Sequence, residues 1–155
     1  MNPSKIESSK WLERYIGQTE GISIHIDSAR IRHIRDFLFL YAIYERIVIR
    51  NKNAVIPEAN TICEVFEFFQ SRYLSCGEIN DRFNYLRINN NKRRIISTLK
   101  NGTTILEKQS ICRTIVARFR NNLFHGNKRG ADFWNQTELF NVANSFLMAS
   151  IEANS

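Results

Sequence analysis

The sequence has few cysteines and no long apolar run. Its three cysteines, Cys63, Cys76 and Cys112, include no C-x-x-C pair, which argues against a disulfide scaffold and against a structural zinc site. The longest apolar run, from Phe37 to Tyr44, is far shorter than the roughly 20 residues of a membrane-spanning helix. No apolar signal region follows the N-terminus, so we expect a cytoplasmic protein. We expect neither a metal ion nor a cofactor.

The length and composition are those of an ordinary globular domain. The chain has 155 residues, of which 43% are hydrophobic and 24% charged. This length predicts a single helical domain over residues 1–155. Lys and Arg number 22 against 15 Asp and Glu, which gives a net charge of +7. That excess favours a polyanionic partner such as nucleic acid, although basic proteins of other kinds are common.

Apolar residues recur with helical spacing in six segments, and the six glycines and two prolines fall between these segments or at their starts. Ser4-x-x-Glu7 and Thr104-x-x-Glu107 have the pattern of capping boxes. The stretch from Gly21 to Ile26 alternates with period two, and we interpret it as an extended connector because no partner strand is evident. The sequence predicts an all-α bundle of five or six helices, over residues 4–16, 28–50, 58–75, 79–100, 104–125 and 136–152.

A basic run follows three asparagines from Asn89 to Arg94. This run is either a phosphate-binding loop or a solvated turn within a helical hairpin, and the second interpretation is favoured.

The segment from Val116 to Lys128 carries the most specific pattern. A helix that ends at His125-Gly126 explains the basic residues as partners of the helix dipole. It does not explain the Asn121-Asn122 pair, because Asn is a poor helix former. At about 100° per residue, a stripe of residues falls opposite the apolar face of this helix. The stripe contains Leu106, Arg113, Ala117, Arg120 and Phe124, and its apolar members predict a second buried contact, most simply with a second copy of the chain.

Arg120-Asn121-x-x-x-His125, followed by Gly126 late in a helix, resembles the signature of the HEPN superfamily. That signature is an Arg followed, after four to six residues, by a His, with a polar residue often directly after the Arg. The Arg-Asn-Asn-Leu-Phe-His-Gly stretch is particularly similar to Apea-like and related bacterial HEPN proteins of phage defence and toxin–antitoxin-type conflict systems. The close resemblance covers about a dozen residues.

The resemblance implies a metal-independent endoribonuclease that cleaves single-stranded RNA as a homodimer. In the family, two motifs meet across the subunit interface and form one composite site. His125 would act as acid or base, Arg120 would bind the phosphate, and Asn121 would orient His125 or bind the phosphate. The residues expected to contact flanking RNA are Arg118, Lys128 and Arg129, and those expected at the dimer interface are Leu106, Ala117 and Phe124.

The sequence gives two answers about whether Arg118 or Arg120 matters more for RNA cleavage. On a straight helix Arg118 lies about 20° from His125 and Arg120 about 140° away, which favours Arg118 within one subunit. The family pattern favours Arg120, which also shares the dimer stripe. We choose Arg120, because a composite site needs a cation that points toward the partner subunit.

Two other functions remain open. The chain is alternatively a catalytically silent HEPN module that binds RNA, or that binds a protein such as an antitoxin or a regulatory partner. A basic helical DNA-binding protein ranks last, because ten residues separate the last two predicted helices and a helix-turn-helix needs three or four.

Overall fold

The four longest helices of the described residues build the core, in agreement with the predicted all-α class. A computed structural model describes residues 8–21, 23, 29–124 and 136–155. Helix α2 packs on α7, α3 packs on both α6 and α7, and α5 packs on α6. The helices are α1 (Ser8–Glu20), α2 (Ala29–Tyr44), α3 (Ala59–Tyr73), α4 (Asp81–Asn84), α5 (Lys92–Asn101), α6 (Ile105–Phe124) and α7 (Thr137–Ala153).

Aromatic side chains fill the centre of the bundle. Phe37 of α2 meets Phe140 of α7 edge to face, with ring centroids 5.2 Å apart. Phe119 of α6 contacts both Phe140 and Phe69 of α3 at centroid distances of 5.9 and 6.0 Å. Such pairs add to the stability that burial of the rings provides. The core therefore ties α2, α3, α6 and α7 into one unit.

The N-terminal helix does not contribute to this core. Trp11 and Tyr15 of α1 stack on each other with centroids 5.1 Å apart, and both rings are about half exposed. Gly17 lies inside α1, so the prediction that every glycine falls between segments or at their starts is wrong at this position. One glycine costs a helix only about 1 kcal/mol relative to Ala, which neighbouring residues can offset.

Helix α2 continues as a π-helical turn over Glu45–Ile49. Its buried face is formed by Ile34, Phe37, Tyr41, Tyr44 and Val48. Successive members of this set are three or four residues apart, which is the spacing of one helical face.

A short β-hairpin follows α3, where the sequence predicted no strand. Strand β1 (Leu74–Ser75) pairs antiparallel with β2 (Glu78–Ile79). Cys76 and Gly77 form the two-residue loop, and both have left-handed φ angles, of 53° and 81°. Left-handed conformations at both loop positions are typical of a type I′ turn, for which Asn-Gly is the usual sequence signal. Cys-Gly lacks that signal, and the strands are too short to show alternation.

The helical segment predicted over residues 79–100, with an interruption at the asparagines from Asn89 to Asn91, is two helices, α4 and α5, separated by residues 85–91. Asn80 begins α4, since its Oδ1 accepts a hydrogen bond of 3.2 Å from the backbone N–H of Phe83. Asn91 precedes α5 and has a left-handed φ of 56°. Asn tolerates this conformation better than most residues with a side chain. The asparagines therefore act as helix boundaries.

The capping box predicted at Thr104 is confirmed. Thr104 Oγ1 accepts from the backbone N–H of Glu107 at 3.2 Å, and Glu107 Oε1 accepts from the backbone N–H of Thr104 at 3.3 Å. The box sets where α6, the helix that carries the motif, begins. The Ser4-x-x-Glu7 box lies outside the described residues, as does most of the predicted connector from Gly21 to Ile26.

Candidate functional site

Helix α6 carries the first part of the motif and ends at Phe124. His125, Lys128 and Arg129, which the sequence predicts as site residues, lie outside the described residues, and Phe124 is described only in its backbone. The face of α6 that packs on the bundle consists of Ile111, Cys112, Ile115, Val116 and Phe119, all of which are buried. This face anchors the helix, so the positions of Arg118, Arg120, Asn121 and Asn122 are set by the core.

Arg118 is engaged within the fold. Its Nε donates to the backbone carbonyl oxygen of Leu86 at 2.9 Å, and its Nη2 donates to Asn122 Oδ1 at 3.4 Å. Leu86 itself is buried. The guanidinium therefore joins α6 to the segment that follows α4, and this gives Arg118 a structural role in addition to the predicted contact with RNA.

Asn122 also has a structural role, which the sequence did not reveal. Its side chain is 5% exposed. Its Nδ2 donates to the backbone carbonyl oxygen of Tyr85 at 3.5 Å while its Oδ1 accepts from Arg118. A buried amide needs such partners, because an unpaired one costs about 1–3 kcal/mol. The second asparagine of the Asn121-Asn122 pair is therefore explained by the fold.

Arg120 and Asn121 form a separate pair in the same turns of α6. Arg120 Nη1 donates to Asn121 Oδ1 at 3.3 Å, and both residues are half-buried. The two arginines of the motif thus differ in their surroundings: Arg118 is directed to a backbone carbonyl of another segment, whereas Arg120 is held by its neighbour on the helix. This arrangement orients a cation in the last turns of α6, five residues before His125 in the sequence.

Tyr41 of α2 lies within the electrostatic field of this helix. Burial raises the pKa of Tyr41, Glu45 raises it further, and the charges of Arg120 and Arg113 oppose the increase. The charge of Arg120 therefore acts on the hydroxyl of Tyr41, although the two residues belong to different helices. Sequence reasoning missed Tyr41, because its position in the apolar repeat of α2 marked it only as a core residue.

Tyr44, one helical turn after Tyr41, is more deeply buried. Burial raises its pKa, and Arg113 opposes the increase. Its hydroxyl has no hydrogen-bond partner among the described residues. The charge of Arg113 thus opposes the increase in pKa at both tyrosines of α2.

The predicted interface residues differ in exposure. Leu106 is 71% exposed, whereas Ala117 is half-buried. An exposed Leu by itself is unremarkable. Leu106 is compatible with a contact to a second chain, and the interface stays a prediction.

A polar cleft lies next to the segment that Arg118 holds. It has a volume of about 290 Å³ and is lined by Phe83, Asn84, Arg87, Ile88, Asn89 and Lys92. The run from Asn89 to Arg94 thus contributes both to this cleft and to the first turn of α5. No carboxylate is found among the described residues of its lining.

The described residues contain no group of three or more His, Cys, Asp or Glu side chains that could hold a metal ion. Cys112 is buried, and its burial raises the pKa of the thiol to about 12. Cys63 is half-buried and Cys76 is exposed. None of the described helices is long and apolar enough to cross a membrane.

Comparisons with protein-family models, with curated proteins and with solved structures gave no match to this chain. Its function must therefore be argued from its own residues.

Proposed function

We propose that the protein is a HEPN-type endoribonuclease that cleaves single-stranded RNA without a metal ion. The basis of the proposal is the motif Arg120-Asn121-x-x-x-His125, whose first residues lie in the last turns of α6 in an all-α bundle. The observation that supports it most is the contrast between the two arginines. Arg118 bonds to the Leu86 carbonyl oxygen and serves the fold, while Asn121 holds Arg120 in the last turns of α6. The family pattern favours Arg120 as the catalytic arginine, and the contacts of Arg118 within the fold support this choice.

The proposed reaction is an internal transfer at the phosphate. The ribose 2′-oxygen loses its proton to a base and attacks the adjacent phosphorus, while the bond from phosphorus to the 5′-oxygen breaks and that oxygen takes a proton from an acid. The products are a 2′,3′-cyclic phosphate and a 5′-hydroxyl. His125 suits the acid and base roles because imidazole titrates near neutral pH.

In this scheme Arg120 stabilises the negative charge on the phosphate during the reaction. Its guanidinium is permanently charged and can donate two parallel hydrogen bonds to phosphate oxygens. Fixing Arg120 through Asn121 means that less conformational entropy is lost when the phosphate binds. Two copies of the motif, one from each subunit of a homodimer, would supply two histidines and two arginines to one site.

The decisive experiment is an RNA cleavage assay in the presence of EDTA. We expect the wild-type protein to cut mixed single-stranded RNAs and to leave 2′,3′-cyclic phosphate ends, and we expect His125→Ala to be inactive. Cleavage that disappears in EDTA and returns with Mg²⁺ would contradict the mechanism. The biological role of such a ribonuclease would be in phage defence or in a toxin–antitoxin-type conflict system, as in the bacterial proteins that the motif resembles.

A catalytically silent module that binds a protein partner is the second candidate. The exposed stack of Trp11 and Tyr15 on α1 favours it, because paired aromatic rings on a surface are frequent contact points. If wild-type protein and His125→Ala both leave RNA intact under every condition, including with cell extract added as a source of activator, this second function replaces the first.

A further inference from the structure

We propose that the cleft between α4 and α5 binds phosphate groups of single-stranded RNA, with Arg87 and Lys92 as the cations. The proposal rests on the proposed function, since it extends the RNA path of the same protein. The cleft has a volume of about 290 Å³, close to the lower limit of about 300 Å³ for small-molecule pockets. It is therefore large enough for a phosphate together with part of its nucleotide.

The lining of the cleft has the chemistry that a phosphodiester needs. Arg87 and Lys92 bring two positive charges, and Asn84 and Asn89 bring amide groups that donate and accept hydrogen bonds. All four of these residues are exposed. The apolar residues of the lining, Phe83 and Ile88, are buried and form its floor. Cations at the rim of such a depression attract a polyanion and position its backbone.

The segment from Tyr85 to Ile88 forms the wall of the cleft that carries Arg87, and its neighbours fix it in place. Leu86 and Ile88 are buried on either side of it, and Arg87 itself has a left-handed φ of 55°. With both neighbours directed into the core, the side chain of Arg87 lies on the surface. The backbone carbonyl oxygens of Tyr85 and Leu86 accept hydrogen bonds from Asn122 and Arg118.

These hydrogen bonds connect the cleft to the motif. Arg118 and Asn122 lie on α6 on either side of Arg120 and Asn121 in sequence, and they hold the cleft wall against the same turns of the helix. An RNA strand that crosses the C-terminal end of α6 would therefore place neighbouring phosphates within reach of the cleft. The proposal thereby gives the run from Asn89 to Arg94 the phosphate-binding role that was the less favoured of its two interpretations from sequence.

Binding can be measured apart from cleavage with a fully 2′-O-methylated single-stranded RNA, since its blocked 2′-oxygens prevent the reaction. Fluorescence anisotropy of the full chain at several salt concentrations gives both the affinity and its salt dependence. The test variant combines Arg87→Gln with Lys92→Gln. The matched control combines Arg50→Gln with Lys52→Gln, which removes the same charge from the exposed turn after the π-helical segment.

We expect the cleft variant to bind about tenfold more weakly at about 0.1 M salt. The slope of log affinity against log salt should fall by about 1.4, since each phosphate contact with a single strand contributes about 0.7. The control should change affinity less than about threefold, through net charge alone. A variant with Arg87→Lys and Lys92→Arg keeps both charges and should bind almost as the wild type. Circular dichroism before and after heating checks that all variants fold.

Four results would overturn the inference: no binding of RNA by the wild-type protein, equal losses in the cleft variant and the control, wild-type affinity in the cleft variant, or displacement of RNA by inorganic phosphate at unchanged ionic strength. The last result would identify a small-anion site. If the cleft variant binds normally while unmodified RNA is cut in EDTA, only the cleft assignment fails. If the cleft variant binds weakly but the wild type cuts no RNA, only the nuclease activity fails.

Discussion

Arg118 of α6 donates a hydrogen bond of 2.9 Å to the backbone carbonyl oxygen of Leu86, 32 residues earlier in the chain. This bond fastens the segment between α4 and α5 to the helix that carries the motif. It makes one of the two arginines near His125 a structural residue.

Replacing Arg118 with Ala should therefore destabilise the protein. The substitution leaves the Leu86 carbonyl oxygen and the buried Asn122 amide without a charged donor, and we expect a loss of about 1.5–3 kcal/mol in the free energy of unfolding. Urea denaturation measures this loss of stability. The control is Arg113→Ala, at an exposed position of the same helix, for which we expect a loss below about 0.5 kcal/mol. Wild-type stability of Arg118→Ala together with weaker RNA binding would instead support a role confined to RNA.

Replacing Arg120 with Ala should abolish RNA cleavage and leave the fold intact. Arg120 lies outside the buried face of α6, so we expect the fold to survive with a loss of about 1 kcal/mol in unfolding free energy, the common value for a single substitution. Cleavage rate and urea denaturation measure the two effects. A homodimer of Arg120→Ala that cuts RNA normally would show that the wrong arginine was chosen.

Mixing Arg120→Ala subunits with His125→Ala subunits tests whether the site is composite. Each heterodimer keeps one Arg120 and one His125 on different chains. We expect partial recovery of cleavage over either parent protein. Recovery that is absent although heterodimers form, as native mass spectrometry would show, contradicts catalysis across the interface.

Replacing Leu106 with Glu should convert a homodimer to monomer without unfolding it. The side chain is 71% exposed in the single chain, so the substitution should change the stability of the fold by less than about 0.5 kcal/mol. In a dimer interface the same charge would be buried without a partner. Light scattering at tens of micromolar protein reports the mass, and Phe124→Glu should have the same effect. A wild-type protein that is already monomeric under these conditions contradicts the prediction.

Replacing Tyr73 with Phe should make the protein less sensitive to alkaline pH. Tyr73 is buried against Phe69 and Phe83, and this burial raises the pKa of its hydroxyl, with Arg72 opposing the increase. Above a pH of about 10 the unfolded chain loses this proton and the native chain keeps it, so the free energy of unfolding falls as pH rises.

The decline due to this one group is at most about 1.4 kcal/mol per pH unit. Urea denaturation between pH 9 and 11.5, values on either side of the usual tyrosine pKa of about 10, should show a shallower decline for Tyr73→Phe. Tyr85→Phe is the matched control, because this ring is exposed. Equal declines in the wild type and in Tyr73→Phe would contradict the expectation.

Local sequence signals determined the helical class and the start of α6, the helix that carries the motif. Apolar residues at helical spacing predicted the all-α class, and Thr104-x-x-Glu107 predicted the capping box that begins α6. The helical face and the capping box both depend on residues three or four positions apart, so a short stretch of sequence contains all the information that they need. The motif itself was also visible in the sequence, since its residues lie within six consecutive positions, from Arg120 to His125.

Only the tertiary structure decided what the polar residues around the motif do. Arg118 and Asn122 bond to the carbonyl oxygens of Leu86 and Tyr85, and these partners are more than 30 residues away in the chain. Which charges act on the hydroxyl of Tyr41, and which side chains line the cleft at Arg87 and Lys92, depends likewise on how the helices pack. Periodicity records which face of a helix is buried, but it holds no information on the partner that the face meets.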